Sequence, residues 1–99
     1  MRTIHLVRLD KVRPALILTR EVALPFLRSV TVAPITSTIR GLATEVRVGS
    51  ANGLDLDSVV SLDNVITVAS DDVGALIGYL LDRQEGDLAA AIRAAFDLG

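Results

Sequence analysis

The feature that most constrains this chain is a period-two alternation of apolar and polar residues, repeated in short runs cut by turn residues. In residues 29–35, Val30 and Val32 face one way and Ser29 and Thr31 the other. In residues 44–48, Val46 and Val48 face inward while Glu45 and Arg47 face solvent. Residues 3–9, 15–19, 58–62 and 64–68 are aliphatic or β-branched runs bounded by Asp10-Lys11, by Asp63 and by the glycine-flanked segment 49–53, and read as further strands. Pro14 suits the opening position of the second strand and pushes Arg13 toward an extended backbone. Gly74 and Gly78 would each weaken a helix by roughly 1 kcal/mol relative to alanine. Residues 71–81 therefore read as a short turn followed by a strand near residues 77–81.

The end of the chain changes period. Asp82-Arg83-Gln84-Glu85 has the spacing of a capping box, with Asp in the first position. Leu88, Ile92 and Phe96 then recur at i, i+4 and i+8, with Ala91 and Ala95 on the same face. This predicts an amphipathic C-terminal helix whose apolar face, Phe96 included, packs on the sheet. Many short strands followed by one helix imply an α+β, mostly β fold: a small antiparallel β-barrel with a C-terminal α-helix, in a single domain over residues 1–99.

Composition narrows the class. A chain with 51% hydrophobic and 22% charged residues is not disordered. The absence of cysteine excludes a disulfide framework, a zinc ribbon and a thiol nucleophile. No run approaches the roughly 20 apolar residues of a membrane span, and the first residues lack a secretory signal's apolar stretch, so a soluble cytoplasmic protein with no membrane partner is expected. The net charge of −2 conceals an asymmetry. Residues 1–50 carry Arg2, Arg8, Lys11, Arg13, Arg20, Arg28, Arg40 and Arg47 against Asp10, Glu21 and Glu45, whereas residues 51–99 carry only Arg83 and Arg93 against nine acids. The planar guanidinium pairs bidentately with phosphate, so the basic half is where an anionic substrate should bind.

Most catalytic signatures are missing: there is no glycine-rich phosphate loop, paired-histidine metal motif or nucleophile elbow. His5 is the sole histidine and reads as a half-packed strand residue. Asp55, Asp57 and Asp63 lack calcium-loop spacing and read as solvated loop residues. Neither set is a convincing metal site, and no cofactor is expected. Two polar spots remain. Arg13 lies just beyond a hairpin turn, and Thr36-Ser37-Thr38 places three hydroxyls before Ile39-Arg40-Gly41. At converging strand ends, an arginine beside hydroxyls and a second arginine can cradle a phosphate.

Residues 13–19 (RPALILT), 30–41 (VTVAPITSTIRG), Thr44-Glu45-Val46 and 57–68 (DSVVSLDNVITV), in this order and spacing, resemble the MazF/PemK family of toxins from type II toxin–antitoxin modules, in particular its short mycobacterial-type members. The resemblance implies a homodimeric β-barrel that cuts single-stranded RNA at short motifs without metal, leaving a 2′,3′-cyclic phosphate and a 5′-hydroxyl, and that is blocked by a cognate antitoxin. It assigns Arg13 and Thr36 as the catalytic pair, Arg40 as a contact to the RNA backbone, and Ser37 and Thr38 as further substrate contacts. Two departures accompany it: His5 stands near the family's aromatic position, and Asp10-Lys11-Val12 replaces a longer loop. The general base is left among Glu45, His5 and solvent, because arginine's pKa above about 12 leaves almost no neutral form. Two alternative functions share such a barrel, a DNA-gyrase poison of the CcdB type and a non-catalytic RNA- or protein-binding module. The gyrase poison acts through C-terminal residues including a tryptophan, which this chain lacks.

Overall fold

In the computed structural model, which describes residues 1–99, the first two strands, β1 (Thr3–Arg8) and β2 (Val12–Ile17), form a hairpin whose last pair is Arg8 opposite Val12. Five further strands follow: β3 (Ser29–Thr36), β4 (Glu45–Val48), β5 (Ser58–Ser61), β6 (Ile66–Ala69) and β7 (Val73–Tyr79). All pairings are antiparallel, in the order β4-β5-β3-β2-β1-β7, with β6 also on β3. β3 changes partner along its length: Ser29 to Val32 lie opposite β6, and Ile35 and Thr36 opposite β5. The changeover at Ala33-Pro34 turns the sheet back on itself into a curled half-barrel, closed at its open end by one helix, α1 (Glu85–Ala95).

Both faces of the central strands are covered. Ile4, Leu16, Ala33, Ile35, Val46 and Val60 point into the curl, where Leu88 and Ala91 of α1 meet them. Val7, Ala15, Ile17, Val30 and Val32 form a smaller core on the other face, beside Leu24 of the 3₁₀ segment Glu21–Phe26. Burial on both faces explains why β2 reads as a continuous apolar run rather than an alternating one. The curl closes where the turn after β4 meets β7. A Cβ on Gly78 would overlap the Asn52 carbonyl oxygen, and one on Gly53 the Ile77 carbonyl oxygen. Gly53 also has φ +85°, a conformation that side chains disfavour. Asn52 Nδ2 donates to the Tyr79 carbonyl at 2.9 Å across this seam.

Several boundaries differ from expectation. β2 begins at Val12, so Arg13 and Pro14 lie within the strand. β7 begins at Val73, because Gly74 permits close approach to β1: a Cβ there would lie 3.0 Å from the Leu6 carbonyl oxygen. The main correction concerns Phe96. Residues Asp82–Gln84 form a 3₁₀ turn, and the Gln84 side chain, not Asp82, caps it by accepting from the Leu81 N–H at 2.9 Å. At its other end the helix stops at Ala95, where Asp97 turns the chain at φ +54°, and Phe96 sits at the C-cap, 57% exposed. The packed face is Leu88, Ala91, Ile92 and Ala95.

Candidate active site

Arg13 is the second residue of β2 and Thr36 the last of β3. The register sets Ala15 opposite Pro34, so the start of β2 and the end of β3 lie at the same edge of the sheet. Both side chains line one open cavity of about 680 Å³, together with Thr38, Arg40 and Glu45. Leu9, Pro34 and Ile66 supply apolar wall, and Ser61, Asp63 and Asn64 add polar groups on the β5 side. Four of the five expected site residues thus converge. The fifth, Ser37, is exposed and is not among the lining residues.

Asp10 joins the site unforeseen. Arg13 Nε donates to Asp10 Oδ1 at 2.9 Å and Nη2 to Oδ2 at 3.0 Å, leaving Nη1 without a partner in the chain. The hydrogen bond from Arg13, aided by the Lys11 backbone N–H, holds the Asp10 carboxyl well below the usual range, at about 2. Reciprocally, Asp10 raises the Arg13 pKa. A charged side chain three residues before Arg13 across a short turn was the available sequence signal.

Glu45 also acquires a definite role. Its Oε1 accepts from the backbone N–H groups of Gly41 at 2.8 Å and Leu42 at 3.0 Å, and the Arg40 N–H reaches the same carboxylate at 3.3 Å. This clasp shapes the loop presenting Arg40, and Gly41 at φ +74° allows its bend. Within the next turn, the Thr38 N–H donates to Thr36 Oγ1 at 3.1 Å, which orients that hydroxyl. His5 is placed elsewhere: Nδ1 bonds the Gly74 carbonyl and Nε2 the Thr3 hydroxyl, both at 3.0 Å. Of the three acids considered as a cation site, only Asp63 lines the cavity, and it accepts the Thr44 hydroxyl. No three His, Cys, Asp or Glu residues are grouped as a metal site. No helix is long and apolar enough to cross a membrane.

The chemistry available is therefore that of positive charge and an oriented hydroxyl around an open cavity of about 680 Å³. Comparisons with known proteins agree in direction. The family described as PemK-like, MazF-like toxin of type II toxin–antitoxin system matches residues 5–96. The chain is 62% identical to "Endoribonuclease MazF3" of Mycobacterium tuberculosis over 98 residues, 99% of this chain and 95% of that protein. The solved structure of "Mycobacterium tuberculosis toxin MazF-mt6" superposes with a TM-score of 0.98 at 61% identity, covering 99% of both chains. A mycobacterial endoribonuclease solved with its cognate antitoxin shares the fold, with a TM-score of 0.87 at 22% identity over 98% of this chain and 93% of that one.

Proposed function

Because the chain belongs to the PemK-like, MazF-like toxin family, we propose that it is the endoribonuclease of a type II toxin–antitoxin module, with Arg13 and Thr36 as its catalytic pair. The observation that carries the residue assignment is the convergence of Arg13, Thr36, Thr38 and Arg40 on one cavity. The substrate is single-stranded RNA, and the partner protein is a cognate antitoxin. The chain acts as a homodimer in the cytoplasm, cutting RNA and so halting translation and growth.

The reaction needs no nucleophile from the protein. The ribose 2′-oxygen attacks the adjacent phosphorus, the bond to the 5′-oxygen breaks, and the products are a 2′,3′-cyclic phosphate and a 5′-hydroxyl. The proton of the 2′-hydroxyl leaves with a base and one returns to the 5′-oxygen. What the protein supplies is alignment of the attacking oxygen and stabilisation of charge on the non-bridging oxygens. Arg13, held by Asp10 on two of its nitrogens, presents Nη1 to the phosphate. Thr36 adds a hydroxyl donor, and Arg40 holds a neighbouring phosphate. Glu45 is occupied by three backbone donors and supports the Arg40 loop. His5 is bonded away from the cavity. Glu45 Oε2, which lines the same cavity and takes only a 3.4 Å contact from the Arg40 N–H, and solvent are the bases within reach of the gap.

The test is cleavage of single-stranded RNA in excess EDTA. Cleavage should persist, its product should carry a cyclic phosphate, and a deoxy sugar at the cut site should abolish it. Arrest by EDTA would overturn metal-free chemistry. Cutting of the deoxy substrate would overturn attack by the 2′-oxygen. Gyrase inhibition without any RNA cleavage would assign the chain to the CcdB-type alternative.

A further inference from the structure

A second cationic site lies at the other end of β4. Glu45, at the start of that strand, lines the catalytic cavity, and Arg47, two residues on, shares its face. Beyond it opens a cleft of about 300 Å³ lined by Arg47, Ser50, Asp57 and Arg83. Both arginines are exposed, and neither is among the ion pairs or side-chain donors of the chain. Asp57 is the only carboxylate lining the cleft.

Two distant segments are fixed together to make this pair. Gln84, next to Arg83, is buried, and its Nε2 donates to the Arg47 carbonyl at 3.2 Å and to Asn52 Oδ1 at 3.3 Å. Asn52, also buried, donates to Gln84 Oε1 at 2.7 Å and accepts from the Gly49 N–H at 3.1 Å. No buried side-chain nitrogen or oxygen is left unsatisfied. A satisfied buried amide pair of this kind rigidifies what it joins. Here it joins the two backbones that carry Arg47, from the basic half of the sequence, and Arg83, from the acidic half.

We propose that Arg47 and Arg83 bind a phosphate of the same RNA strand outside the catalytic cavity. The inference rests on the ribonuclease reading and extends it to where the strand runs: along the outer face of β4, about 10 Å from Glu45 to the strand's end. Two unpaired guanidiniums on backbones tied together by Gln84 suit a phosphate, and β4 runs from one site to the other. The site reads charge rather than sequence, since phosphate contacts position a strand and do not specify its bases.

The experiment measures anisotropy of labelled 2′-O-methyl RNA, which cannot be cut, in two mixed-sequence lengths of about 5 and about 15 nucleotides. The unaltered chain should hold the longer RNA more tightly. In the double variant Arg47→Gln with Arg83→Gln that advantage should shrink by about tenfold, and the salt slope for the longer RNA should fall by about 0.7 for each phosphate no longer neutralised. Arg47→Lys with Arg83→Lys should restore part of both, and circular dichroism controls for folding. An unchanged length advantage in the Gln variant, while the unaltered chain still cleaves RNA, overturns the second site alone. A Gln variant that keeps its RNA affinity but loses affinity for an acidic antitoxin peptide assigns the pair to a protein partner and overturns it likewise. Failure of the unaltered chain to bind or cut any RNA overturns the ribonuclease reading itself.

Discussion

Asp10 grips the Arg13 guanidinium along one edge, with two hydrogen bonds of 2.9 and 3.0 Å. The pair spans three residues across the β1–β2 turn and leaves the opposite nitrogen, Nη1, without a partner in the chain. Because the Asp10 pKa is lowered to about 2, the pair is formed above the ordinary carboxylate range and is lost only as pH falls through that value. Over the neutral range neither partner changes charge, so this pair contributes no limb to the pH–rate profile.

Asp10→Asn should therefore lower kcat/KM by roughly 10- to 100-fold, since a misplaced catalytic group costs up to about 100-fold. The Asp10 side chain is 69% exposed, so thermal unfolding should shift little. Single-turnover cleavage beside a melting curve checks both. Unaltered cleavage would show that Arg13 needs no help in aiming.

Arg13→Ala should reduce the rate by about 100-fold or more, comparable to losing a preorganised transition-state donor. Arg13→Lys should recover little of it. An ammonium lacks the rigid fork that meets Asp10 on one edge and a phosphate on the other. Recovery to near the original rate by lysine would reduce Arg13 to a point charge.

Thr36→Ala should abolish most activity while costing about 0.5–1.5 kcal/mol in stability, the typical net worth of one hydrogen bond, here that accepted from the Thr38 N–H. Thr36→Ser keeps the hydroxyl and should stay active. Chemical denaturation and cleavage rates of the two variants separate the functional loss from the structural one.

At the helix, Leu88→Ala should cost about 2–5 kcal/mol, as expected for a buried leucine. Phe96→Ala should cost less than about 0.5 kcal/mol, as for an ordinary surface site. Equal losses in urea unfolding would mean that the C-cap ring packs after all.

This contrast shows where sequence patterning succeeds and where it stops. Val46 and Val48 alternate with Glu45 and Arg47 because period two is imposed by strand geometry, and their burial follows directly. Phe96 continues the helical period on paper, but the helix stops one residue short of it, where Asp97 at φ +54° turns the chain away. Arg13, Thr36, Thr38 and Arg40 were legible through their spacing around Pro14, Pro34 and Gly41. Asp10 and the Glu45 clasp were not. Their partners are a side chain across a turn and three backbone N–H groups, and hydrophobic periodicity carries no record of either. Gly74 and Gly78 argue rightly for a strand over a helix, but helix propensity does not show that they also admit neighbouring backbone, which lets β7 start at Val73.

Gly78→Ala should destabilise the fold by about 3 kcal/mol or more, since its Cβ would strike the Asn52 carbonyl and force the backbone apart. Gly86→Ala, with open space around its Cβ, should be neutral or slightly stabilising in the same melting experiment.

The pairing of β1 with β7 sets an order in time. Thr3 lies opposite Tyr79 and Val7 opposite Val73, so the first strand to leave the ribosome waits for the last. Until then the hairpin carrying Arg13 has one bare flank, although β3, carrying Thr36, already has its partners β2, β5 and β6. Contacts this far apart in sequence form slowly. A nascent chain should accordingly be harmless to the messenger that encodes it, acquiring its cutting geometry only after synthesis has passed the seventh strand.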